Sequence, residues 1–268
     1  MTAMRLKRYP SPSGGFALGK MGVGATMLKQ GKTAKDYVQD GLVAMWDGIE
    51  NAGWGVHDAS ATTWKDLIGN CSFTSSQNPS WDSDGFILTG SSSISVPFTD
   101  VSSEPAIALF SNVTTGGSLT VEIGMDFENT ETSGLVFAGT LSGRWANFSF
   151  ATPNMNMASL LASMSNGSAN GQNSFGTGLG TYSMTSVYTK KSNGGFYAVS
   201  YTNGSQHSTG SLDSYVGSSR AAVGFGYAYS SYLRPKGKVR YSRIYSRALT
   251  AAEIAANYAI DKERFNLP

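Results

Sequence analysis

Cysteine is nearly absent from this chain: Cys71 is the only one in 268 residues. One thiol cannot close an intrachain disulfide, so the fold has to be held by packing. The surrounding IGNCSF reads as a site for a buried thiol rather than a reactive one. Histidine is almost as scarce, and His57 and His207 lie far apart without ligand spacing, which argues against a histidine-based zinc site. No metal and no cofactor is expected. Charged residues make up 14% of the chain, against roughly 25% in an average globular protein. No run of about 18 apolar residues occurs, so no membrane-spanning helix is expected. Helical periodicity is missing until the last twenty residues.

What fills the chain instead is glycine, at 32 residues, with Ser, Thr and Asn between apolar runs. That composition suits many short strands joined by tight turns, and the length suffices for one large all-β domain. Charge is unevenly placed. Residues 1–35 carry seven basic residues and no acid, leaving thirteen basic against eighteen acidic residues, a net −5, in the rest.

The N-terminal stretch RLKRYPSPSGGFALGKMGVGATM starts like a secretion signal. Lys20 interrupts its apolar part, its glycines disfavour a helix, and no A-x-A site follows, so cleavage is not expected. A flexible tail is one reading. The other is an arm over residues 1–36 that docks on another subunit of an oligomer, with Arg5, Lys7, Arg8, Phe16, Leu18, Met21, Met27 and Leu28 as its contacts. The second is preferred because six apolar side chains, these five and Val23, are many for an idle tail, and ordering each residue costs about 1–2 kcal/mol that contacts must offset.

The body is expected over residues 37–268. GLVAMWDG is an apolar strand closed by a turn dipeptide, and GFILTGSSSISVPF gives two short strands, with Ile94, Val96 and Phe98 on one face. In SLTVEIGMDFEN, Leu119, Val121, Ile123, Met125 and Phe127 alternate with a row holding Glu122, Asp126 and Glu128. GLVFAG, WANFSF, RAAVGFGYAY and GKVRYSRIY read as strands, and FYAVSYTNGSQHS reads as a hairpin with a type I′ turn at Asn203-Gly204. Residues 153–181 read as a long loop with at most one short element. Thr250 and Glu253 form a capping box, and Leu249 with Ile254 a hydrophobic staple, for a helix ending near Lys262. The sum is a β-sandwich closed by one helix.

In order, GLVAMWDG, TTWKDLIGN, GFILTG, SLTVEIGMDF, YAVSYTNGS and GKVRYSRIYSRALTAAEIAANY resemble the laminin-G-like branch of the concanavalin A-like lectin/glucanase superfamily. The resemblance covers residues 38–262 and implies a two-sheet antiparallel jelly-roll sandwich. Two departures stand out: Arg240-Tyr241 replaces an acidic pair common in the family, and Asn203 replaces a usual Asp. No calcium ligands are carried over. Function is implied only loosely, because this fold hosts lectins, glycosidases, adhesion modules and virion proteins.

Glucanases of that superfamily carry a compact row of carboxylates on one strand. Here Glu122 and Asp126 lie roughly 13 Å apart along a strand, and only Asp126 and Glu128, at about 7 Å, approach a catalytic separation. The row therefore reads as a wet sheet face, no catalytic residue is assigned, and the chain is expected not to be an enzyme. Trp54 and His57 in NAGWGVHD, Arg144 and Trp145 in a turn, and Tyr229, Tyr232 and Arg234 in GYAYSSYLRP could bind a glycan or a partner protein. Ordinary packing is the alternative for each. Trp46, Trp64 and Trp81 are assigned to the core. The acidic body and the absence of a recognised module argue against nucleic acid. The expectation is a structural or adhesion protein of a bacteriophage virion that contacts a cell-surface glycan. The alternative is a secreted or bacterial cell-surface carbohydrate-binding module or glycoside hydrolase.

Overall fold

The alternating segment around Val121 becomes the hub of the larger sheet. The computed structural model describes residues 31–69, 72–74, 80–89, 117–128, 135–142, 145–151, 161–165, 170–175, 178–212, 223–227 and 236–268. For 73–74, 89, 135–142, 145–151, 161–165, 170–173, 212 and 223–227 only the backbone path is described. The strands of these residues are β1 (Leu42–Asp47), β2 (Thr63–Trp64), β3 (Phe73–Thr74), β4 (Trp81–Asp82), β5 (Gly85–Thr89), β6 (Leu119–Phe127), β7 (Leu135–Ser142) and β8 (Trp145–Ala151). They continue with β9 (Leu161–Ser165), β10 (Asn170–Ser174), β11 (Gly180–Lys190), β12 (Phe196–Thr202), β13 (Ser205–Leu212), β14 (Val223–Tyr227) and β15 (Lys236–Tyr245), and helix α1 spans Ala251–Phe265.

The chain is an all-β antiparallel sandwich of two main sheets, with β2 and β3 forming a two-stranded ladder of their own, and among the described residues it has one α-helix, α1. The larger sheet runs β13-β12-β11-β6-β15-β5-β4, with β1 also pairing β15, and the smaller runs β10-β9-β8-β7-β14. One edge of β15 pairs β6, while the other carries β5 along Lys236–Val239 and β1 along Tyr241–Tyr245. The inner face of the large sheet holds Leu119, Val121, Ile123 and Met125, all fully buried, with Trp46 and Phe86. Full burial of each such side chain contributes about 1.5–3 kcal/mol. Trp64, Trp81 and Phe86 pack ring to ring at 5.2–6.3 Å, although Trp81 is only partly buried.

The other face is not wet. Helix α1 lies across it, with Ile254, Asn257, Ile260, Asp261 and Phe265 turned inward. Leu249 and Ile254 join Val187, Tyr201 and Tyr245, while Ile260 joins Ala34, Tyr37, Met45 and Leu67. The capping box at Thr250 forms as expected, and the helix continues to Phe265, three residues beyond Lys262, before Asn266 turns left-handed (φ 51°). The hairpin turn also forms, with Asn203 and Gly204 at φ 50° and 73°.

Two expectations are corrected. Residues 153–181 contain β9 and β10, not a loop with one element, and β11 begins at Gly180. These are Ser-, Asn- and Gly-rich strands whose ladder partners supply the order that apolar alternation does not. The arm contacts at Arg5 to Leu28, along with Cys71, Ile94, Val96 and Phe98, lie outside the described residues.

Candidate binding loop

Between β1 and β2 the chain makes a loop whose frame is polar and buried while its tip is apolar and exposed. Asp47 ends β1, and its Oδ1 accepts from the Ile49 and Glu50 N–H groups at 2.9 and 3.1 Å, which turns the chain. Fully buried Asn51 then brackets the loop: its Nδ2 donates to the Asp58 carbonyl at 2.9 Å and its Oδ1 accepts from the Asp58 N–H at 2.8 Å. Inside the bracket the Val56 N–H donates to the Gly53 carbonyl at 2.9 Å. Gly53 and Gly55 adopt φ of 128° and 69°, where a side chain would be strained.

Helix α1 fixes this frame from below. The Arg264 guanidinium, 4% exposed, donates to Asp47 at 2.5 Å and to Glu50 at 2.9 Å, and Glu50 in turn accepts from the Gly55 N–H at 2.8 Å. Trp54 and Val56 project from the held backbone with 39% and 51% of their surface exposed. The ring therefore presents a face at little further cost in ordering, as an aromatic contact for a ligand requires.

His57 is exposed, and its Nδ1 lies 3.0 Å from the Gly48 carbonyl. A carbonyl only accepts, so Nδ1 carries the proton and Nε2 is the atom left for a ligand. The Ser60 hydroxyl and N–H hold the Asp58 carboxyl below its usual range. Trp54 and His57 thus come together in one loop. Of the other suspected binding residues, Trp145 opens β8 with only its backbone described, and Arg144, Tyr229, Tyr232 and Arg234 lie outside the described residues. Sequence reasoning missed Lys35, whose Nζ sits 5.4 Å from the Trp54 ring centroid, because the contact joins segments nineteen residues apart.

The carboxylate row on β6 is corrected in two of its three members. Glu122 is 1% exposed. Its Oε2 accepts from Arg243 Nε at 2.6 Å and Asn257 Nδ2 at 3.0 Å. The Arg243 guanidinium also forks onto Asp261 at 2.8 and 2.7 Å and lies between the Tyr37 and Tyr241 rings at 3.9 and 4.2 Å. The Tyr37 and Tyr241 hydroxyls donate to Asp261 as well, at 2.8 and 2.6 Å. Burial, despite Arg243, pushes the Glu122 carboxyl up, and nearby Asp261 adds to the rise. A carboxylate so enclosed cannot reach a substrate.

Asp126 is partly buried and held by Arg240 through two bonds of 2.9 Å. Only Glu128 is as solvated as expected, with 54% of its side chain exposed beside Lys236. The cations were missed because a bulge in β15 opposite β6, between Val239 and Tyr241, inserts Arg240 and switches the strand's alternation. Lys238 before the bulge and Tyr241 and Arg243 after it consequently share one face.

No protein-family model and no curated protein matches the sequence. Among solved structures, Trypanosoma rangeli sialidase superposes with a TM-score of 0.59 at 12% identity, covering 84% of this chain and 33% of that one. The same sialidase in complex with difluorosialic acid gives 0.57 at 13% identity with the same coverage. A heptameric pentraxin from Limulus polyphemus covers 52% of this chain and 68% of its own, with a TM-score of 0.40 at 19% identity. The likeness is one of fold. This chain spans about a third of the sialidase, so neither activity nor substrate is carried across. The sialidases, which cover 83–84% of this chain, are nevertheless enzymes, and the expectation of a non-enzyme is withdrawn on that finding.

Proposed function

We propose that this chain is a saccharide-binding sandwich displayed on a surface, with the Trp54 loop as its contact. In this reading it is a component of a bacteriophage virion, attached within an oligomer through residues 1–36. The observation that carries the binding role is the loop itself: an aromatic ring 39% exposed on a backbone fixed by Asn51, Glu50 and Arg264. Sugar rings offer C–H faces that pack on such a platform while their hydroxyls donate to acceptors like His57 Nε2. Support for the saccharide class also comes from the fold, which Trypanosoma rangeli sialidase in complex with sialic acid shares at a TM-score of 0.54. The virion location draws on the family resemblance and on an arm whose first 35 residues hold seven basic residues and no acid. A glycoside hydrolase is the second reading, favoured by the sialidase neighbours.

A glycan array probed with the full chain and with Trp54→Ala tests the binding role. The wild type should retain at least one saccharide, and the variant should bind it at least about tenfold more weakly. Retention of none by the wild type overturns the reading. Turnover of a bound glycan would make binding a step in hydrolysis. Deleting residues 1–30, which keeps the turn that buries Ala34 and carries Lys35, should leave a folded sandwich that no longer joins its particle, and normal incorporation would refute attachment through the arm. Recovery of the chain from culture medium with a cleaved N-terminus would favour a secreted or cell-surface location.

A further inference from the structure

We infer that the Trp54 loop selects acidic saccharides over neutral ones, an inference that rests on the saccharide-binding reading and names its ligand class. The body as a whole is acidic, yet two exposed lysines stand at this loop. Lys35, exposed on the short 3-10 turn Ala34–Asp36, places its ammonium over the ring. Lys65, exposed beyond the loop, runs its stem past Gly53, where a β-carbon would meet Lys65 Cδ at 3.9 Å. Neither lysine forms an ion pair among the described residues.

The neighbouring acids are all engaged. Glu50 is bound by Arg264 and by the Ala34 and Gly55 N–H groups. Asp36 caps its turn at Thr33 and lies 4.0 Å from Lys32, and Asp58 accepts from Ser60. None of these acids is ion-paired with Lys35 or Lys65, so both ammonium groups are available to a charged ligand.

A neutral sugar stacked on Trp54 can take hydrogen bonds from these ammonium groups but has no opposite charge to offer them. A carboxylate or sulfate at its ring edge would accept charge-assisted hydrogen bonds from one or both. The exposed contact of Lys35 with the ring is weak enough for an incoming sugar to displace it toward that edge. Placement also matters. The turn bearing Lys35 is anchored by fully buried Ala34 and by Tyr37, so the lysine's backbone is fixed relative to the loop.

Titration of the full chain with lactose, sialyllactose and sulfated lactose separates charge from the shared sugar. The charged forms should bind about tenfold more tightly at low salt, with the advantage shrinking as salt rises. In Lys35→Gln/Lys65→Gln the ratio of charged to neutral affinity should fall below about threefold, whatever the affinity for lactose itself, and circular dichroism should confirm an unchanged fold. Equal affinities in the wild type, or a preference that survives the double variant, overturns the selectivity while saccharide binding stands. Failure of every saccharide, here and on the array, removes both. Loss of all three ligands in Trp54→Ala would place the selectivity at this loop, and retention of the preference there would refute it.

Discussion

Replacing Arg243 with Met would remove the one cation that two buried carboxylates share. Arg243 and Asp261 have no exposed surface and Glu122 has 1%, so water cannot take the lost partner's place. Three hydrogen bonds of 2.6–2.8 Å vanish with the guanidinium, while the methionine keeps much of the packing against Tyr37 and Tyr241. Breaking a buried ion pair in this way costs about 3–5 kcal/mol, and two stranded carboxylates place the expectation near the upper end. With a urea slope of roughly 3 kcal/mol per molar, the unfolding midpoint should fall by about 1.5 M. The deficit should shrink as pH falls, since a carboxyl raised in the folded state gains stability by taking up a proton. Adding Glu122→Gln and Asp261→Asn should recover most of the loss, because the cost lies in unpaired charge rather than lost volume. A triple variant no more stable than Arg243→Met, or a single variant that loses under about 1 kcal/mol, would refute this account.

Gly124 lies under the Tyr241 ring, where a β-carbon would sit 2.3 Å from ring carbon Cε1. That ring is buried and tied to Ser183 and Asp261, so Gly124→Ala should destabilise by about 1–3 kcal/mol in the same urea assay. Glu253 is held at about 2, from an ordinary 4.5, mainly by its fork with Arg247. A depressed carboxyl stabilises above its unfolded value, so this contribution should be full above pH 4.5 and fade as pH falls toward 2. With 29% of the side chain exposed, solvent screening limits it to about 1 kcal/mol, read as the gap between wild type and Glu253→Gln across that range. Glu128→Gln should cost no more than about 0.5 kcal/mol, because its pairing with Lys236 is a surface one.

The sequence makes some elements of this architecture plain and hides others for physical reasons. Strand β6 is readable because its odd positions are apolar, and helix α1 because Thr250, Glu253 and the apolar residues around them act locally. Strand β11 is hidden because it lies between two partners and meets them with Ser and Thr. The covering of the outer face is hidden for another reason. Glu122 meets Arg243 across 121 residues, and the bulge at Arg240 breaks the alternation that would have aligned the cations with the acids. One clue was present: Asn257 and Asp261 fall on the stripe of α1 that also carries Ile254 and Ile260. Polar groups on a buried stripe require buried partners, and an acid at the centre of a covered strand, as Glu122 is, requires a cation. For the binding loop, Trp54 and His57 are adjacent enough to suspect from sequence, whereas Lys35 and the support from Arg264 depend on the tertiary fold.

The position of α1 has a consequence for how the chain must be made. Synthesis delivers β6 more than a hundred residues before the helix that supplies Asn257, Asp261 and Arg264. Until residues beyond Thr250 leave the ribosome, the nascent sheet has charged and apolar groups on its outer face with no cover, and Asp47 and Glu50 lack their clamp. The strands can pair during translation, but neither the outer layer nor the Trp54 loop can settle before α1 arrives. A chain stalled ahead of that point would expose both faces of its central strands, so completion of the outer layer waits on α1.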